Sequence, residues 1–133
     1  MIVKQVSVFV ENTVGRLADL TKILTDNNIA ETVDFGILRC IVEDPEKTVK
    51  ILVENGFSAS ISEVTGVSLE DKPGGLHKVL AVLAEAGIAV NYIYSTIKSA
   101  EGKAIIMMKT SDAAKAEEVL KASGVELAGA DSF

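Results

Sequence analysis

Two short segments carry the residue types best placed to do chemistry. They are Asn12-Thr13-Val14-Gly15-Arg16-Leu17 and Asp71-Lys72-Pro73-Gly74-Gly75-Leu76. In each, an Asx residue ends a strand pattern, a glycine follows three positions later, and an apolar stripe at helical spacing begins. A turn of this kind leaves backbone N–H groups free at a helix N-terminus, where negative charge is favoured. A carboxylate could accept from the N–H groups at Gly15-Arg16-Leu17 or Gly74-Gly75-Leu76. An ammonium could be held by the Asn12 or Asp71 side chain and nearby carbonyls. Those are the two ends of a free α-amino acid. The plainer reading is local: Asn12 and Asp71 cap their helices, and Gly15 and Gly74 permit tight turns. On local sequence alone the plainer reading leads, because such turns are common.

Other chemistry is poorly represented. His77 is the only histidine, which excludes a histidine-based metal cluster, and it falls in the first turn of a helix pattern where it reads as exposed. Cys40 is the only cysteine and alternates with apolar residues, which suits a core position better than a nucleophile. It cannot form an internal disulfide, so a reducing, cytoplasmic setting is expected. No phosphate-binding loop or dinucleotide fingerprint is present. The carboxylates of Glu46, Glu54, Glu117 and Glu118 lie on helix faces and read as solvated surface. No catalytic residue, metal site or cofactor is expected.

The elements that position the two turns repeat. An offset of 59 carries Asn12 onto Asp71, Leu20 onto Val79, Leu24 onto Leu83 and Ile29 onto Ile88. Ile2 to Val10 alternates as a half-buried strand, and Leu17, Leu20, Ile23 and Leu24 form a helix stripe. Phe35 to Val42 reads as a strand. Asp44-Pro45 caps a second helix, which stops at Asn55-Gly56. Phe57 to Ile61 and Val64 to Leu69 read as strands with no strong breaker between them, so one is expected to run nearly straight into the other. Leu76, Val79, Leu80 and Leu83 then make a helix, Val90 to Lys98 and Lys103 to Lys109 a hairpin, and Ala113 to Ala122 a helix capped by Asp112. A short strand lies near Val125 to Leu127. The fold class is α+β, with two ferredoxin-like β-α-β-β-α-β units, antiparallel sheets and helices on one face. The units divide as residues 1–63 and 64–133.

One interval breaks the repeat. Past the first helix the offset rises from 59 to 68, so that Asp44 aligns with Asp112 and Gly56 with Gly124. The first unit is about nine residues short between Ile29 and Asp34, where the second holds its strand around Tyr92. Losing a strand there would expose the backbone groups of its neighbours. Either this unit is naturally truncated or a mobile stretch near Ile29-Ala30 is absent from the chain, and the second reading is preferred.

The constellation resembles the ACT domain, a small ligand-binding regulatory module, in two tandem copies over nearly the whole chain. The second turn, from Asp71 to Leu76, matches the family's Asp-x-Pro-Gly-x-Leu pattern in full, and the first departs at Asn12 and Val14. The chain looks like a stand-alone tandem ACT protein. The resemblance implies amino-acid binding, usually at interfaces between ACT units, coupled to regulation. Carried over by position, the ligand-binding candidates are Asn12, Gly15, Arg16 and Leu17 in the first unit and Asp71, Gly74, Gly75 and Leu76 in the second. The strand facing the turn adds Asn91, Tyr92 and Ile93.

Composition bounds what this module can meet. The chain of 133 residues is 48% apolar and 24% charged, which describes a globular protein rather than a disordered one. Its net charge of −6 argues against a nucleic-acid partner. No apolar run reaches membrane-spanning length, and no signal-peptide layout is present. The sequence is therefore expected to form a non-catalytic amino-acid-binding regulatory module of two units packed into a shared sheet, forming a homodimer, with room for a regulated protein partner. One alternative is a dimerisation and interaction module with no small-molecule ligand. Another is a small enzyme on a ferredoxin-like scaffold, against which the lack of a convincing acid–base pair counts.

Overall fold

The computed structural model describes residues 2–11, 13–27, 32–34, 37–95 and 102–129. The elements run β1 (Ile2–Phe9), α1 (Arg16–Asp26), β2 (Thr32–Asp34), β3 (Ile37–Ile41), α2 (Pro45–Glu54), β4 (Ser58–Glu70), α3 (Gly75–Glu85), β5 (Val90–Ser95), β6 (Lys103–Thr110), α4 (Ala113–Ala122) and β7 (Glu126–Ala128). The chain is α+β, and the pairings β1–β3, β2–β3, β4–β6, β4–β7 and β5–β6 are antiparallel. It divides into two compact units: Lys4–Ser62, and the residues from Glu63 onward together with the first residues of β1. β4 is a single strand of 13 residues, as expected where Gly66 is the one strong breaker between Ser58 and Leu69. Its beginning belongs to the first unit and its remainder to the second.

In the first unit the strand order is β2-β3-β1-β4. The alternation read in β1 places Val6, Val8 and Val10 on the buried side, against Leu20 and Leu24 of α1, Leu52 of α2 and Leu38 of β3. Cys40 joins this core, its thiol 3.8 Å from the Val6 carbonyl oxygen. It is a packing residue. α2 is capped by the Asp44 carboxylate, which accepts from the Lys47 N–H at 3.1 Å, with Pro45 in the first turn where its missing N–H costs nothing.

The nine-residue deficit of this unit needs correcting. The strand thought to be missing is present as β2, paired with β3 through Val33 opposite Leu38. β2 has three residues where β5 has six, and two positions separate β2 from β3 where seven separate β5 from β6. Shorter elements and a shorter connection therefore account for most of the change in offset. The strand expected over Phe35 to Val42 is confined to Ile37–Ile41, and Phe35 itself lies outside the described residues.

The second unit has β7 beside β4, then β6 and β5. Its core sets Val67 and Met108 of the sheet against Val79 and Leu83 of α3 and Ala116 and Leu120 of α4. The Asp112 carboxylate caps α4 by accepting from the Lys115 N–H at 3.0 Å. Gly66 sits where β7 crosses closest to β4: a Cβ there would lie 2.6 Å from the Ala128 carbonyl oxygen. Only glycine admits that approach. Val90 to Ser95 is the described part of the strand expected to reach Lys98, and Thr96 to Lys98 lie outside the described residues.

Candidate functional site

The two turns open their helices in the same way. Gly15 precedes α1 with φ of 85°, and Gly74 precedes α3 with φ of 87°. Both lie in the left-handed region that side chains with a Cβ enter at a cost. Among the described residues neither helix has a side-chain cap. The local role considered for Asp71, capping α3, is therefore not what it does: its backbone N–H donates to the Gly102 carbonyl at 3.1 Å, tying the turn to the start of β6. Asn12 lies outside the described residues.

The free N–H groups differ from the expected set. The Arg16 N–H donates to the Thr13 carbonyl and the Gly75 N–H to the Lys72 carbonyl, so both are consumed within their turns. The amides of Leu17 and Leu76, one position further on, find no backbone acceptor outside their helices among the described residues. The space around a Cβ at Gly15 or Gly74 is open to 4 Å, whereas a Cβ on Gly75 would stand 2.5 Å from the Glu70 carbonyl oxygen. Gly75 is thus held by close packing against the end of β4. Val14 is fully exposed and Leu17 is 39% exposed, while Leu76 is half-buried.

Arg16 is half-buried and its guanidinium is engaged within the first unit. Its guanidinium stacks 3.9 Å above the centroid of the Phe57 ring, and its Nη2 donates to the Gly56 carbonyl at 3.1 Å. It fastens the start of α1 to the C-terminal end of α2, where unsatisfied carbonyls attract a cation.

The strand candidates lie away from the second turn. Tyr92 and Ile93 pair with Lys109 and Met108 of β6, and Met108 in turn pairs with Thr65. Thr65 precedes Glu70, the last residue of β4, by five positions, roughly 17 Å at the rise of an antiparallel strand. Within one unit, therefore, Asn91, Tyr92 and Ile93 do not meet Asp71, Gly74, Gly75 and Leu76. Asn91 falls at a break in register between Val90 and Tyr92. Tyr92 stacks with Tyr94, their ring centroids 6.4 Å apart, and Ile93 is 37% exposed.

The structure adds residues that the turn motif does not indicate. A cleft of about 380 Å³ lies in the second unit, bounded by the end of β4, α3 and the connection from α4 to β7. Gly75 is the one turn candidate glycine on its wall, joined by Lys72, Lys78, Lys103 and Glu126. Lys72 pairs with Glu70, and Lys103 with Glu126 at 2.6 Å. The Glu70 carboxyl is held below its usual range by the Lys72 hydrogen bond and charge first, then by the charges of Lys78 and Lys103. Lys72 lies inside the turn motif and Lys78 two positions beyond it. The pairing of Lys103 with Glu126 spans 23 positions and leaves no local signal.

Among the described residues no group of three or more His, Cys, Asp or Glu side chains could hold a metal ion, and no helix is long and apolar enough to cross a membrane. Among curated protein sequences none matches the chain significantly. The family described as "ACT domain pair" matches residues 1–131. Of solved structures, a Bacteroides thetaiotaomicron protein, BT0572, is 37% identical with a TM-score of 0.86, over 99% of this chain and 95% of that one. The ligand-free regulatory subunit of aspartate kinase from Thermus thermophilus is 16% identical with a TM-score of 0.63, over 91% and 88%. A structure of aspartokinase alpha and beta subunits is 22% identical with a TM-score of 0.58, over 91% of each chain. The last two likenesses are of fold.

Proposed function

The chain belongs to the ACT domain pair family, and on that footing we propose that it is a regulatory module that binds a free amino acid and catalyses no reaction. The observation that carries the reading is the repeated turn: a left-handed glycine opens a helix at the same place in both units, with open space around it. Strand orders β4-β1-β3-β2 and β7-β4-β6-β5 support reading each unit as ferredoxin-like, divided near residue 63. The likeness in fold to the regulatory subunit of aspartate kinase supports a regulatory role.

The ligand carboxylate is received at the turn, by the N–H groups of Leu17 in the first unit and Leu76 in the second, and the ammonium by Asn12 or Asp71. Because Asn91, Tyr92 and Ile93 stand far from the turn of their own unit, they complete a site by meeting the turn of another. That arrangement calls for a homodimer, with the site at the boundary between copies. Arg16 supports the first site by positioning its helix.

Calorimetry of the intact chain with each of the standard amino acids tests the proposal. Saturable binding, weakened in a folded Gly74→Val variant, is the expected result. Normal binding by that variant would remove the turn from the site. Absence of binding by every amino acid would leave a dimerisation and interaction module, which the exposed Phe9 (63%) and Val14 at one end of the first unit favour.

A further inference from the structure

The two units treat one position differently. In the first, Arg16 lays its guanidinium over Phe57 and donates to the Gly56 carbonyl, so a side chain fills the space between the start of α1 and the end of α2. The repeat places Gly75 where Arg16 stands, Val125 where Phe57 stands and Gly124 where Gly56 stands. The plug is therefore deleted in the second unit, and the aromatic ring beneath it is cut to a valine. What remains is the cleft of about 380 Å³, within the size range of small-ligand pockets.

Its walls specify a chemistry. Val79, Val82 and Val125 give it an apolar side. Of its charged groups, Lys72 and Lys103 are engaged with Glu70 and Glu126. Lys78 is the third ammonium on the wall, and with only those two carboxylates beside it the lining carries one net positive charge. A ligand with one negative charge and a short apolar body matches that balance. Gly124, whose counterpart Gly56 offers its carbonyl to Arg16, also lines the cleft.

We infer that this cleft, which borders the second turn through Lys72 and Gly75 and is contained in one unit, is a further binding site, distinct from the turn amides of Leu17 and Leu76, for a small monocarboxylate with a branched apolar body. The carboxylate lies against Lys78, and the body packs on Val79, Val82 and Val125. An α-amino acid adds an ammonium that donates to the Gly124 carbonyl. A 2-oxo acid of the same skeleton shares the carboxylate and the body and lacks the ammonium.

The test titrates the full chain with L-leucine and, separately, 4-methyl-2-oxopentanoate, following amide shifts by NMR. Two variants accompany it: Lys78→Ala, at an exposed position, and Val125→Phe, which restores the bulk that Phe57 supplies. Millimolar or tighter binding of either probe is expected, with shifts at Lys78, Gly124 and Val125. Loss of the charge-assisted contact in Lys78→Ala should weaken it about tenfold or more. Preference for leucine assigns a role to the Gly124 carbonyl, and equal binding assigns recognition to Lys78 alone. No binding of either probe by the unaltered chain overturns the inference, whatever amino acid the turns accept. Binding that survives Lys78→Ala also overturns it, and leaves amino-acid recognition at the turns intact.

Discussion

At the scale of single residues, Arg16 decides how the first turn is read. Its guanidinium makes a stacking contact and a hydrogen bond, both to the end of α2. Exposed or half-exposed contacts of these kinds are worth about 1 kcal/mol each, so Arg16→Ala should lower stability by about 1–2 kcal/mol in chemical denaturation. An unchanged midpoint would show that the clamp contributes nothing. Glu70 supplies a second prediction. Its folded pKa is depressed, chiefly by Lys72. A depressed carboxylate stabilises the fold above its unfolded pKa, and that contribution fades as pH falls through the lower folded value. Both partners are solvent-exposed, so the effect on overall stability is small. Lys72→Ala should move the Glu70 titration, followed by NMR of its side-chain carboxyl, upward toward the ordinary glutamate range.

Among elements, the glycines of the second turn separate two kinds of constraint. Gly74 needs its left-handed φ but has space, whereas Gly75 is pressed against the Glu70 carbonyl. Gly74→Ala should cost about 1 kcal/mol from backbone conformation. Gly75→Ala must displace backbone and should cost more, in the range of about 1–3 kcal/mol typical of overpacking. Equal costs in thermal unfolding would contradict the distinction. Much at this scale was legible beforehand. Asp44-Pro45 and Asp112 announced their caps because a cap is local chemistry, and α4 begins and ends where Ala113 and Ala122 place it. β2 was missed because three residues are too few to show a period. The use of Arg16 was missed because its partners lie 40 and 41 positions away, and nothing near Arg16 signals them. The cleft was missed for a related reason: it exists through side chains that are absent at Gly75 and reduced at Val125.

At the scale of the whole molecule, the strand edges set the expectation for assembly. β5 and β2 stand at ends of the strand order, and β5 carries the half-buried Tyr92 and Tyr94 and the exposed Ile93. An exposed edge with apolar residues invites pairing, and a second copy is the simplest partner. A dimer is expected by light scattering at micromolar concentration. Ile93→Lys on that edge should shift the equilibrium toward monomer, and a dimer indifferent to this change would place the interface elsewhere.

The passage of β4 through both units bears on how the chain acquires its structure during synthesis. The residues that complete the first unit are all made by Ser62, but β7, which must settle against Gly66, is made some sixty positions later. Domains generally form in the order they leave the ribosome. We expect the front of β4 to be docked while its far half still waits for a neighbour, held meanwhile in the extended form that the second unit will need. On that account the first unit is a template for the second. Ribosome-bound chains arrested between residues 75 and 100 should protect the amides of β1 and β3 from exchange, and leave those of Val67 and Leu69 unprotected until β6 emerges.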